Sequence, residues 1–141
     1  KKTINRILKD AFEDIPYAKG INNHMGSLAT EDEAFITAVF QYLKKRNVFF
    51  LDSYVTTGSV CSRLAQERRI KFARRSVFLD NSSNPAYISQ QLEKLAHQSD
   101  EHGYAIGIGH DRKATLEVLL EKIPELEKRG YRFVFVSALV E

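Results

Sequence analysis

Strand-like and helix-like segments alternate along almost the whole chain, and this alternation limits the possible folds more than any other feature. Residues 48–52 (VFFLD), 76–80 (SVFLD) and 104–109 (YAIGIG) are short apolar runs. Each run is followed by a segment whose apolar residues recur at every third or fourth position, which is typical of a helix. Strands that are apolar on both faces belong to parallel sheets covered by helices. The sequence therefore predicts an α/β fold with a largely parallel sheet.

Local signals predict where several of these elements begin and end. The first segment is an amphipathic helix that ends near Pro16. Residues 30–33 (TEDE) have the pattern of a capping box that opens a helix. Asn84 followed by Pro85 predicts a helix cap with proline in the first turn. The apolar run near the end of the chain predicts a last strand that ends at Ser137.

Size and charge restrict the class of protein. A chain of 141 residues with 43% hydrophobic content predicts a single domain, residues 1–141. The net charge of +3 comes from intermixed charges of both signs, so nothing calls for nucleic-acid binding. Cys61 is the only cysteine, so no internal disulfide is possible. No apolar run approaches the roughly 18 residues of a membrane span, and no signal-peptide pattern opens the chain.

Polar residues gather where the predicted strands end. In parallel α/β folds, ligands bind beyond the carboxyl ends of the strands, because the loops converge there. Histidine, aspartate and asparagine suit a hydrolytic site, since they can transfer protons or stabilise an oxyanion. In chain order, the residues at these ends are Asn22, Asn23, His24, Ser27, Asp52, Ser53, Asp80, Asn81, His110, Asp111, Arg112 and Ser137.

Each of these positions also has a purely structural interpretation. An aspartate or asparagine after a strand is often a turn or a helix cap, an explanation as good as function for Asp52 and better for Asn81. The glycines before His110 can serve close packing of the strand. A histidine directly after the run GIG is harder to explain by structure alone, and we interpret His110 as functional.

Four motifs resemble those of a known family. They are GINNHMGS (residues 20–27), FFLDSYVT (49–56), RSVFLDN (75–81) and IGIGHDRKATLEVL (106–119). In this order and spacing they look like successive signatures of the divergent polysaccharide deacetylases, which are relatives of the NodB-type carbohydrate esterases. The resemblance covers nearly the whole chain.

The resemblance implies a distorted β/α barrel of the TIM-like type and metal-dependent hydrolysis of an acetyl group on a sugar. It also implies a secreted or cell-envelope protein. Two departures from the family stand out. The region with a paired-aspartate strand and a histidine-bearing strand, which the family has upstream, is absent, so the barrel is expected to lack its N-terminal strands. Asp111 stands where the family usually has proline.

By the same resemblance, the chain is expected to act on an acetylated polysaccharide with a divalent metal, expected to be zinc. His24 would contact the metal or the substrate, with the metal as its first expected role, and His110 would stabilise or protonate the leaving group. A catalytic zinc usually has three protein ligands, so His24 alone is insufficient. The other expected roles are catalytic for Asp52 and Asp80, and substrate-binding for Asn22, Asn23, Ser27, Ser53, Arg75 and Arg112.

Two other functions remain open from the sequence. One is a non-catalytic carbohydrate-binding or scaffold domain, in which Tyr17, Tyr54, Tyr87 and Tyr104 could stack on sugar rings. The other is a hydrolase for a phosphorylated substrate, because arginines and helix starts attract anions. The second lacks a glycine-rich phosphate cradle.

Overall fold

The structure, a computed structural model, describes residues 2–140 and is an α/β fold with parallel strands. This confirms the predicted fold class. The helices are α1 (Lys2–Asp14), α2 (Ser27–Glu31), α3 (Glu33–Arg46), α4 (Cys61–Arg68), α5 (Pro85–His102) and α6 (Lys113–Lys128). The strands are β1 (Gly20–Asn22), β2 (Phe49–Asp52), β3 (Phe72–Arg74), β4 (Val77–Phe78) and β5 (Gly107–Ile108).

The strands form two parallel groups. One sheet has the order β1-β2-β3, and the other pairs β4 with β5. In the first sheet Asn22 is paired with Leu51, and Asp52 is paired with Arg74. The carboxyl ends of β1, β2 and β3 therefore lie at one edge, as predicted. The distorted barrel stays a prediction.

The chain divides into two compact units, residues 2–74 with 137–140 and residues 75–136. Each unit has a core of its own. In the first, Phe40 and Phe50 pack edge to face with ring centroids 5.3 Å apart. In the second, Val77 and Ile88 are part of a buried apolar cluster. Two compact units can belong to one domain, so the predicted single domain stays a prediction.

Cys61 lies in the core of the first unit, where it is fully buried at the start of α4. Burial raises the pKa of its thiol to about 11. The thiolate is the reactive form of cysteine, so this buried side chain serves packing.

Two helix boundaries confirm the predictions made from the sequence. Helix α1 ends at Asp14, just before Pro16. Asn84 is the N-cap of α5: its side chain accepts a hydrogen bond of 2.8 Å from the main-chain N–H of Ala86, and Pro85 is the first helical residue. Proline suits this position because its missing N–H would have no partner inside the helix.

The predicted capping box at residues 30–33 is wrong. Helix α3 begins at Glu33, and its N-cap is Asp32, which accepts a hydrogen bond of 2.9 Å from the N–H of Phe35. Thr30 lies in the short helix α2, where its hydroxyl donates to the carbonyl of Ser27. A threonine hydroxyl that bonds within its own helix cannot cap the next one.

The predicted last strand is also wrong. Residues 131–135 have no regular structure, and a 3₁₀ turn, Val136–Ala138, contains Ser137. A strand needs a neighbour for its main-chain N–H and C=O groups. In the part of the chain that the structure describes, these residues pair with no strand, and Phe135 is 88% exposed. Ser137 therefore does not follow a strand end.

Within residues 2–140, the helices are too short or too polar to cross a membrane.

Candidate functional site

An aspartate and a histidine meet beyond the ends of the two strands of the second unit. Asp80 follows β4 and His110 follows β5, and these strands are parallel neighbours. Nδ1 of His110 lies 2.9 Å from Oδ1 of Asp80. The Asp80 side chain is 1% exposed and the His110 side chain 41%. The pair therefore joins a buried carboxylate to an imidazole that reaches the surface.

Two further groups of the second unit donate to the same carboxylate. The main-chain N–H of His110 and the hydroxyl of Thr115 each donate to Oδ2 of Asp80, both at 2.7 Å. Arg112 donates from Nη1 to the main-chain carbonyl of Asp80 at 2.9 Å. The side chain and the main chain of Asp80 are thus both held by residues 110–115.

The hydrogen bonds decide the charge of Asp80. Burial alone would raise the Asp80 pKa, because a charged group loses hydration. The bonds from the His110 main chain, the His110 ring and the Thr115 hydroxyl outweigh burial, so the pKa lies below its usual value of 3.8. Asp80 is therefore a carboxylate at neutral pH.

Gly109 allows this arrangement to form. A Cβ atom at position 109 would lie 3.1 Å from the Cγ2 atom of Thr115 and 3.6 Å from Oδ2 of Asp80. The first separation is shorter than ordinary van der Waals contact, so a side chain here would push α6 or the carboxylate away. The close-packing interpretation of this glycine and the functional interpretation of His110 are thus compatible.

An aspartate against Nδ1 has a defined chemical effect on a histidine. The carboxylate favours the tautomer with the proton on Nδ1, and it stabilises the imidazolium when Nε2 is also protonated. Nε2 is on the other side of the ring from Asp80. Such a pair can act as a general acid or a general base through Nε2.

The first unit holds a second group of the predicted residues, at the carboxyl ends of β1 and β2. The side-chain carbonyl of Asn23 accepts a hydrogen bond of 2.8 Å from the N–H of Ser53, and the Ser53 hydroxyl donates to the main-chain carbonyl of Asn23. Asn22 donates to the same hydroxyl at 3.4 Å. The structure thus brings Asn22, Asn23 and Ser53 together as the predicted sheet requires.

Asp52 is buried and is used by its own loop. It is 1% exposed. Oδ1 accepts a hydrogen bond from the N–H of Tyr54 at 2.8 Å, and Oδ2 accepts one from the hydroxyl of Ser59 at 2.7 Å. These bonds fix the loop between β2 and α4, which is the turn-forming role that the sequence left open. A catalytic role for Asp52 stays a prediction.

His24 and Ser27 lie on either side of a tight turn. Met25 and Gly26 both have left-handed backbone conformations, with φ of 57° and 77°. His24 and Ser27 are exposed, and Ser27 is the first residue of α2. Their roles toward metal and substrate stay predictions.

The donors of the described residues do not fit a complete metal site. A catalytic zinc ion usually takes three protein ligands from histidine, cysteine, aspartate and glutamate. Within residues 2–140 no three such side chains lie close enough to share one ion.

Two residues without a predicted role in the site contact residues that have one. The Arg74 guanidinium lies 4.5 Å from the ring centroid of Tyr54, at the carboxyl end of β3. Arg75, the residue predicted instead, lies 3.6 Å over the ring of Phe78. The other is Thr115, which bonds to Asp80 across 35 positions of sequence. The sequence around a threonine in the first turn of a helix does not indicate that its hydroxyl bonds to a distant aspartate.

Uncharacterized proteins of two bacteria are similar to this chain in sequence. The uncharacterized protein YibQ of Escherichia coli (strain K12) is 39% identical over 123 residues, which cover 87% of this chain and 39% of that protein. An uncharacterized protein of Haemophilus influenzae is 37% identical over 126 residues, with 87% and 42% covered. The chain thus spans about two fifths of the length of these relatives.

A solved structure is also similar. The crystal structure of an uncharacterized protein from Agrobacterium tumefaciens C58 matches with a TM-score of 0.85 and 25% identity, over 86% of this chain and 50% of that one. The sequence pattern of the family described as "Divergent polysaccharide deacetylase" matches residues 1–140. This match confirms the resemblance of the four motifs: the chain belongs to the divergent polysaccharide deacetylase family.

Proposed function

We propose that this chain supplies the proton-transferring pair of a hydrolase that removes acetyl groups from a cell-envelope polysaccharide. The family supports a polysaccharide as substrate. The observation that carries the proposal is the 2.9 Å contact between Nδ1 of His110 and Oδ1 of Asp80. A polysaccharide of this kind lies outside the cytoplasmic membrane, so we propose a secreted or envelope location.

In the proposed reaction, His110 is the general acid. Water adds to the carbonyl carbon of the acetyl group and releases one proton to solvent, which forms a tetrahedral oxyanion. As the C–N or C–O bond to the sugar breaks, the His110 imidazolium gives its Nε2 proton to the leaving nitrogen or oxygen. The products are acetate and the free amine or hydroxyl, and the neutral imidazole recovers a proton from solvent. Such catalysis contributes roughly 10²- to 10⁴-fold.

Asp80 acts through His110. Its low pKa keeps it ionised at neutral pH, and its charge stabilises the imidazolium that the leaving-group step requires. The bonds from Thr115 and from the His110 main chain hold the carboxylate in one orientation. Asp80 therefore positions the acid and does not itself touch substrate.

The polar group at the ends of β1 and β2 suits recognition of a sugar. Asn22, Asn23 and Ser53 provide amide and hydroxyl groups at one sheet edge, and these groups match the alternating donors and acceptors of sugar hydroxyls. We propose that they bind the glycan, as does Ser27 of the same unit. Substrate binding by Arg75 and Arg112 is a separate proposal for the second unit.

The proposed enzyme uses a divalent metal, with zinc as the first candidate and His24 as one ligand. Such an ion would supply Lewis-acid activation of the attacking water and of the acetyl carbonyl. Because the described residues do not bring three donors together, we propose that the other ligands come from other parts of the whole protein.

The test is acetate release by the full-length protein from a panel of N-acetylated and O-acetylated envelope glycans, with and without added zinc. His110→Gln should lower the rate by about 10²- to 10⁴-fold, as expected for loss of a general acid. His97→Gln is the matched control, because His97 is a histidine of α5 whose side chain is 72% exposed. This control should release acetate at the normal rate.

Three results would count against parts of the proposal. If the folded full-length protein releases no acetate from any glycan, the hydrolase is wrong, and glycan binding that is indifferent to chelator would identify a binding module. Full activity in His110→Gln would remove the proposed acid. Full activity after chelation, or in His24→Ala, would remove the metal or its proposed ligand.

A further inference from the structure

We propose that Thr115 is a positioning residue of this site, whose hydroxyl fixes the Asp80 carboxylate in the orientation that holds His110. This inference rests on the proposed function for its effect on catalysis. It adds a residue on α6 to a pair that the strand ends supply.

The geometry around Thr115 leaves its hydroxyl one clear use. The side chain is 1% exposed, and the hydroxyl donates to Oδ2 of Asp80 at 2.7 Å. Oδ2 also accepts from the main-chain N–H of His110, whereas Oδ1 faces the His110 ring. Thr115 and the main chain thus hold one carboxylate oxygen, and this turns the other oxygen toward Nδ1.

Packing makes this contact specific. The methyl group of Thr115 lies against the backbone at Gly109, where an added Cβ would come within 3.1 Å of it. The threonine therefore sits with its methyl group over the strand end and its hydroxyl on the carboxylate. A serine keeps the hydroxyl, a valine keeps the shape, and the two variants separate the two contributions.

Two charged side chains contact Asp80 at different atoms. His110 contacts its side chain, and Arg112 contacts its main-chain carbonyl through the guanidinium. The Thr115 hydroxyl is one of the groups that hold the Asp80 pKa below 3.8. Its removal should therefore raise the Asp80 pKa while both charged neighbours stay in place.

The experiment compares Thr115→Val, Thr115→Ala and Thr115→Ser in the full-length protein. The Asp80 carboxyl carbon is titrated by NMR, and acetate release is measured as kcat and KM. We expect Val and Ala to raise the Asp80 pKa and to lower kcat about tenfold, a fraction of the total acid–base contribution. KM should not change because Thr115 is buried, and Ser should restore both values.

The titration separates this inference from the proposed function. If the wild type releases no acetate, the proposed function fails, and the Asp80 pKa still decides the role of Thr115. An Asp80 that titrates at the same pH with and without the hydroxyl would overturn the inference. So would unfolding of both Val and Ala variants beside a folded Ser variant, because the role of Thr115 would then be purely structural.

Discussion

At the scale of single residues, the decisive feature is a buried carboxylate that stays charged. A buried carboxylate without partners would take up a proton instead. Asp80 avoids this through three donors: the His110 main chain, the His110 ring and the Thr115 hydroxyl. The same three bonds that keep the charge also fix the orientation of His110, so stability and the proposed chemistry depend on one cluster.

This cluster predicts a pH-dependent stability. A carboxyl group with a lowered pKa stabilises the fold above its unfolded-state pKa, and the stabilisation disappears as the pH falls through the folded-state value. Asp80→Asn removes the charge and should lower the free energy of unfolding at pH 7 by about 1.5–3 kcal/mol, typical of hydrogen bonds to charged groups.

Urea unfolding of wild type and Asp80→Asn at pH 7 and at pH 3 measures the effect. The usual pKa of this group is 3.8, so the difference between the two proteins should begin to shrink below about pH 4. A difference that is equally large at both pH values would show that the charge of Asp80 does not contribute.

Residue-level prediction from sequence succeeded where strand ends determine position. The positions of Asp80 and His110 at strand ends follow from the predicted sheet. Their contact also requires that β4 and β5 are neighbours, which the structure shows and the sequence pattern does not indicate. The use of Asp52 by Tyr54 and Ser59 depends on the path of an irregular loop, which has no periodic signal. Thr115 was not predicted because its contact with Asp80 joins residues 35 positions apart and depends on how α6 packs against the strand end.

At the scale of elements, helix caps show which local signals decide a boundary. Asn84 and Asp32 both accept a main-chain hydrogen bond at the first turn of their helices. At the start of α5, Pro85 decides among several possible caps, because proline favours the first helical position and so makes Asn84 the N-cap. At the other start, threonine and aspartate stand two positions apart, and both are good N-caps. Which one caps depends on the short helix α2, whose presence the sequence pattern did not indicate.

The N-cap of α3 can be tested by substitution. Asp32→Ala removes the acceptor for the Phe35 N–H and should lower the free energy of unfolding by about 1 kcal/mol. Asp32→Asn keeps an oxygen acceptor and should retain most of that stability. Thermal or urea unfolding measures both variants, and an Asp32→Ala protein as stable as the wild type would show that Asp32 is not the cap.

The mistaken last strand has a related cause. The apolar residues near the C-terminal end have high strand propensity, but a strand forms only with a partner to accept its main-chain hydrogen bonds. Phe133 and Phe135 are exposed in the structure. Strand propensity alone therefore predicted a last strand, but among the described residues this segment has no partner strand.

At the scale of the whole molecule, family membership and the site together support one proposal: His110 protonates the leaving group when an acetyl group is removed from a polysaccharide. The family is shown over residues 1–140, and relatives in two bacteria are more than twice as long as the matched segment. The parallel α/β class followed from alternating strands and helices. The distorted barrel stays a prediction, because it depends on more than local pattern.

The most direct test of this claim compares two leaving groups in the full-length protein. An N-acetylated glycan needs a proton on its leaving nitrogen, whereas 4-nitrophenyl acetate releases a stable anion without one. If His110 is the general acid, His110→Gln should lower kcat/KM for the glycan by about 10²- to 10⁴-fold and leave the aryl ester nearly unchanged. Equal losses on both substrates would contradict the account, because His110 would then act in a step other than protonation of the leaving group.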